Sequence, residues 1–385
     1  MTPTFDSDLA FLKEHTDVVI LGTERGGPRV AVVPQYQGRV MTSTTGGRGG
    51  VGFGWINREL ITSGKFLPHI NVFGGEDRFW LGPEGGQFSM FFKGYDPFDL
   101  EHWQTPAVID IVPYDIVRQE PNELTFRHEA RLVNYSGTPF HIRIERKIRL
   151  LAGDRCATLL GMKSLPAVKI VAFESENTLT NIGVEPWTRT GGALSIWILG
   201  MFQPSEETNV VIPYRPGPDS ELGPIVNDAY FGKVPADRLR IAENVIYFKG
   251  DGKYRSKIGL SPRRARNVLG SYDAAGRVLT VVQYNQPEGV TDYVNSMWET
   301  QEHPFAGDVA NSYNDGPPEP GAPPLGPFYE LETSSPAAFL APGQSITHVH
   351  RTYHFAGNPQ KLDTISRAVF GVSTDQIADA FGRND

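Results

Sequence analysis

Cysteine is almost missing from this chain: Cys156 stands alone among 385 residues. One thiol closes no internal disulfide and builds no cysteine-rich zinc site. Long apolar runs are missing as well. No stretch approaches the ~20 apolar residues that a membrane-spanning helix requires. The opening residues, MTPTFDSDLAFLKEHTDVVIL, carry acids where a signal peptide carries basic residues. Nor is there a basic excess, since a net charge of −8 and an isoelectric point of about 5.7 imply no broad surface for nucleic acid. These absences lead us to expect a soluble cytoplasmic protein that engages neither membrane nor nucleic acid.

Glycine and proline are plentiful, with 41 and 30 residues against six methionines, which predicts many turns and few long helices. Residues Phe5–Glu14 read as a short helix, with Asp6 or Ser7 as N-cap. Apolar runs of four to eight residues then follow one another, bounded by Gly, Pro, Asn and Asp. In HIRIERKIRL, Ile142, Ile144 and, after a shift, Ile148 and Leu150 alternate with His141, Arg143, Glu145, Lys147 and Arg149. That is the period of a strand with one wet face. NYSGTPF reads as the turn of a hairpin. Helical spacing returns only in the tail, NPQKLDTISRAVFGVSTDQIADAFG. The expected architecture is all-β with short terminal helices, in a single domain over residues 1–385.

One strand raises a chemical question. Phe328–Thr333 is patterned for burial, yet Glu330 and Glu332 point to the same face because residues i and i+2 share one. Two adjacent carboxylates repel, and burying each costs several kcal/mol unless it is paired or protonated. The pattern points to a cleft. The preceding segment, NSYNDGPPEPGAPPLGP (Asn311 to Pro327), reads as an ordered loop because prolines disfavour helix and central strand.

A second cluster, HINVFGGEDRFWLGPEGGQFSMFF, gathers Glu76, Asp77, Arg78, Trp80 and Glu84 among five glycines. Read as a hairpin, it places Arg78 and Trp80 on one face. An aromatic ring beside charged groups suits a sugar, whose C–H faces stack on the ring while its hydroxyls bind the charges. A structural tryptophan beside a surface ion pair is the plainer reading. Arg48, within a run of six glycines from Gly46 to Gly54, reads as an exposed turn. No Lys-Ser/Thr ending follows it, so it is no phosphate loop. His348, His350 and His354 share one face of a half-exposed strand. They are read as surface histidines, with an H-x-H metal pair completed by Glu330 or Glu332 as the alternative. In the basic run KYRSKIGLSPRRARN, Lys257 precedes Ile258 and Leu260 and is the member most suited to a site. Most other basic residues are expected on solvated strand faces. Neither cofactor nor metal is expected.

YELETSSPAAFLAPGQSITHVHRTYHF resembles the C-terminal end of the aldose 1-epimerases, the galactose mutarotases. The likeness lies in Leu331-Glu332-Thr333, in Leu340-Ala341-Pro342-Gly343-Gln344 and in the ending Tyr353-His354-Phe355. It covers about thirty residues. It implies a large twisted antiparallel β-sandwich with a sugar on its concave face, and Glu332 as the base that deprotonates the anomeric hydroxyl. The family's two histidines are replaced: Ile182 stands in NTLTNIGVEPW, and Phe73 precedes Gly74-Gly75. His69, His303, Lys257 and a second carboxylate, Glu330 or Glu76, are left open as the acid.

The expected activity is therefore an aldose 1-epimerase-like enzyme on a sugar or sugar derivative, the partner being a small-molecule carbohydrate. The alternatives are a glycoside hydrolase or lyase in the same cleft, and a non-catalytic carbohydrate-binding protein. The candidate catalytic residues are Glu332, Glu330 and His69. The candidate substrate-binding residues are Glu76, Arg78, Trp80, Glu84, Lys257, Asn311, Asn314 and Asp315.

Overall fold

Eighteen strands and a few short helices follow one another along the chain in the computed structural model, which describes residues 3–22, 26–47, 49–319 and 321–382. Arg48 lies outside the described residues. Every paired strand runs antiparallel to its neighbours. A ten-stranded sheet has Ser345–Ala356 and Lys169–Asn181 near its middle and Asp115–Glu120 at one edge. A five-stranded sheet is ordered Ser256–Leu260, Ala310–Asn314, Tyr329–Ser334, Ser195–Phe202 and Arg78–Gly82. Three strands between Val19 and Thr44 form a third sheet. This is the expected all-β sandwich.

Alternation determines which side chains lie between the sheets. From Tyr329–Ser334, Leu331 enters a cluster with Ile246, Phe248, Leu269 and Val282 of the ten-stranded sheet. Tyr329 meets Ser271 of that sheet at 2.8 Å. The intervening Glu330 and Glu332 therefore face the other way.

The hairpin at NYSGTPF forms, with Val133 opposite Pro139. Its second strand, Pro139–Leu150, alternates without the shift that the sequence suggested. Arg146 occupies the inward place between Ile144 and Ile148, fully buried, and donates to Asp77 at 2.5 Å and to Asn177 at 2.7 Å. Arg39 and Arg264 are buried too, so the expectation of solvated basic residues fails for all three. Each donates from its guanidinium to carbonyl or carboxylate oxygens.

Helices form at the ends as expected, and short ones the sequence did not suggest also interrupt the chain, among them Arg58–Ser63 and Gly153–Leu159. The first spans Phe5–His15, but its cap is Thr4, whose hydroxyl accepts from the Ser7 amide in a capping box. The last two, Pro359–Phe370 and Thr374–Ala378, are capped by Asn358 and Ser373. Among the described residues no helix is long and apolar enough to cross a membrane.

Candidate active site

The outer face of the five-stranded sheet forms the floor of a cavity of about 340 Å³. The register arranges its side chains in rows: Arg78 lies opposite Leu199, which lies opposite Glu332. In the next row Met201 lies opposite Glu330, then Tyr313 and Lys257. Two ion pairs cross these rows diagonally. Arg78 Nη2 donates to Glu330 Oε1 at 3.0 Å, and Lys257 Nζ donates to Glu332 Oε2 at 2.8 Å. Each of the paired glutamates thus has its own cation, which answers the repulsion posed by their spacing.

Aromatic faces hold both cations in place. The Arg78 guanidinium lies 4.3 Å from the centre of the Trp80 ring, and the Lys257 ammonium 4.7 Å from that of Trp197. Trp197 Nε1 also donates to Glu332 Oε2 at 3.0 Å. Burial pulls the Lys257 pKa down, but Glu332 and Glu84 outweigh it and the net shift is upward.

The two glutamates differ in access. Glu332 is fully buried beneath Lys257 and Trp197, whereas Glu330 keeps 5% of its surface and lines the cavity. Burial, reinforced by Glu332 and opposed by Arg78, pushes Glu330 up to about 8. Glu84, on the same cavity, is raised by burial to about 6, with Lys257 pulling it down and Glu332 pushing it up. It accepts a hydrogen bond from Trp298.

His69 also lines the cavity, its Nδ1 donating to the Trp103 carbonyl at 2.6 Å. That bond sets the tautomer and leaves Nε2 as the free ring nitrogen. Asp315 completes the predicted set on the cavity wall, with Tyr313 donating to one oxygen and the Gly326 amide to the other, both at 2.8 Å.

Three predicted ligand residues lie elsewhere. Glu76 turns between the sheets, where Ser43 donates to it from its amide and hydroxyl and His354 Nε2 meets it at 2.8 Å. The positive φ of Gly74 and Gly75, +94° and +105°, lets the chain turn just before it. GGEDRFW is therefore no hairpin; Arg78–Gly82 is an edge strand paired with Ser195–Phe202. The NSYN segment, expected as a loop, is strand Ala310–Asn314 in the middle of the sheet, since the prolines begin only after it. Asn314 serves the chain turn, accepting from the Gly252 amide and donating to the Tyr254 carbonyl. Asn311 lies behind Lys257, beside Tyr230.

His348, His350 and His354 are buried rather than half-exposed. The first two meet the Thr333 hydroxyl at 2.7 and 2.8 Å from the core side. Glu330 and Glu332 leave the same strand on its opposite face, so neither completes a metal site with them. Burial pushes His348 down to about 3 and His350 to about 4. His303 is exposed and off the cavity. Phe73 stacks on Tyr36 in the core, and NTLTN belongs to the ten-stranded sheet, away from the cleft.

Sequence reasoning missed Trp103, Trp197, Trp298 and Arg255 on the cavity. Trp197 lies in SIWILGMF, buried on both faces, where no polar alternation marks the ligand side.

In fold the protein is a galactose mutarotase-like β-sandwich. Within that class, the chain belongs to the family of unknown function DUF6786, whose sequence model spans residues 3–381. Three of the solved structures similar to it illustrate the likeness. Slr1438 from Synechocystis sp. PCC 6803 superposes with a TM-score of 0.52 at 13% identity, over 89% of this chain and 96% of its own. An inferred aldose 1-epimerase from Escherichia coli K12 gives 0.51 at 13%, over 88% and 99%. The inferred mutarotase YeaD from Salmonella typhimurium gives 0.50 at 9%, over 89% and 92%. At such identities the likeness is one of fold. No curated protein matches the sequence.

Proposed function

We propose that this protein binds a sugar in the tryptophan-lined cavity and interconverts its anomers by acid/base catalysis. The observation that carries the reading is that two carboxyls, Glu330 and Glu84, line one tryptophan-walled cavity, and burial raises both, Glu330 further than Glu84. Glu330 is thus the stronger proton holder of the two, which suits it to the acid role and Glu84 to the base role.

Anomerisation requires a base at the anomeric hydroxyl and an acid at the ring oxygen. Glu84 takes the hydroxyl proton as the ring C–O bond breaks, and Glu330 gives its proton to the departing ring oxygen. The carbonyl rotates, and closure returns both protons in reverse. Glu332 serves as the fixed negative charge that holds Lys257 and raises Glu330, a positioning role rather than the base role implied by the resemblance. Trp298, half-buried on the cavity wall, offers an apolar ring to the C–H side of the sugar.

Proton NMR of freshly dissolved α-aldoses, with and without protein, tests this. Faster appearance of the β-anomer supports it, and unchanged rates for every sugar reject it. The same carboxyl pair also suits glycoside cleavage. Release of nitrophenol from aryl glycosides, without anomer exchange, would move the assignment there. Saturable binding without turnover would leave a carbohydrate-binding protein.

A further inference from the structure

One guanidinium on the cavity has no carboxyl in hydrogen-bond contact among the described residues. Arg78 is paired with Glu330 and Lys257 with Glu332. Arg255 lines the same cavity, but among the described residues its guanidinium forms no ion pair and donates no hydrogen bond. It lies over the Phe231 ring, 4.0 Å from its centre, and Phe231 in turn packs edge-on to Tyr313 with centroids 5.9 Å apart. The nearby carboxyls are turned elsewhere. Both oxygens of Asp315 are taken by Tyr313 and the Gly326 amide, and Glu84 accepts from Trp298.

We propose that the sugar carries a carboxylate, as a uronic acid does, and that Arg255 receives it. This rests on the sugar-site reading above and narrows it to a substrate class. A guanidinium presents a planar fork that matches a carboxylate through two parallel hydrogen bonds, and stacking on a ring fixes that fork in advance. Leu325 and Pro323 add apolar surface to the same cavity wall. With the carboxyls of Asp315 and Glu84 in electrostatic reach of Arg255, this guanidinium favours one negative charge over the two of a phosphate.

The test is a titration followed by tryptophan fluorescence, since Trp80, Trp103, Trp197 and Trp298 line the cavity. Glucuronate is compared with glucose, galacturonate with galactose, and glucose 6-phosphate is included, on the wild type and on Arg255→Met. Methionine keeps an apolar stem over Phe231 and removes the charge. The expected result is a uronate preference of at least about tenfold in the wild type, worth about 1.4 kcal/mol, that disappears in Arg255→Met. Equal binding of uronate and aldose, tighter binding of the phosphate, or a preference that survives in the variant would each overturn the assignment. Equal binding leaves the sugar site standing, whereas no binding by any sugar overturns both readings.

Discussion

Arg78 and Glu330 stand 252 positions apart in the chain and meet at 3.0 Å in the cleft floor. Their strands lie on either side of Ser195–Phe202, so the pair spans that strand and ties the edge of the sheet to its centre. Its neighbour, Lys257 with Glu332, does the same from the opposite edge. The cleft is thus built on rigid strands, and its charges bear on both stability and chemistry.

Removing one member of the deeper pair should expose how costly its burial is. Lys257→Met leaves the fully buried Glu332 without a cation, and we expect a loss of about 3–5 kcal/mol in urea unfolding. Adding Glu332→Leu should recover much of that loss. A single variant as stable as the wild type would mean that water reaches Glu332.

Glu330 behaves in the opposite sense. Its folded pKa, about 8, lies above the ordinary 4.5. The protonated form is therefore favoured by folding, and stability is lost as pH rises from about 4.5 through about 8. Glu330→Gln retains an acceptor for Arg78 without the titration. Its stability relative to the wild type should increase over that window, by up to about 5 kcal/mol, while anomer exchange falls. A difference that does not change with pH would contradict the assigned shift.

The histidines behind the floor predict acid sensitivity. His348 and His350 are held below the ordinary 6.5, at about 3 and about 4. Folding favours their neutral forms, so the stability they allow is present above pH 6.5 and is lost as pH falls toward those values. Melting temperatures recorded from pH 8 to pH 4 should decline most steeply below 6.5. Replacing both histidines by glutamine should flatten that decline, and an unchanged slope would assign acid unfolding to other groups.

Glu76 separates structure from binding. Its carboxylate accepts from Ser43 and contacts His354 between the sheets. Glu76→Gln turns an amide nitrogen toward those donors and should cost about 1–3 kcal/mol, with sugar affinity unchanged. Weaker sugar binding at unaltered stability would return Glu76 to the site.

Much of this was legible in the sequence because strands declare their faces. The two-residue spacing of Glu330 and Glu332, and of Arg78 and Trp80, placed each pair on one face, and their meeting follows from the sheet order. What stayed hidden was hidden for physical reasons. Asn311 and Asn314 carry polar side chains that satisfy backbone groups in a central strand, so their composition mimicked a loop. Glu76 shares its segment with Arg78 but lies just past a glycine turn. Trp197 looks like core in a strand buried on both faces. Arg146 interrupts an isoleucine row because Asp77 compensates it from a distant segment.

The central claim is that Glu330 transfers a proton to a sugar in this cleft. Two-dimensional exchange NMR on equilibrated anomers measures that directly, with uronates and aldoses as substrates and wild type compared with Glu330→Gln from pH 6 to 9. The account predicts exchange above the buffer rate in the wild type, declining as pH rises past about 8 where Glu330 loses its proton, and near-background exchange in the variant. Equal exchange in both proteins, or none above buffer with any sugar, would contradict it.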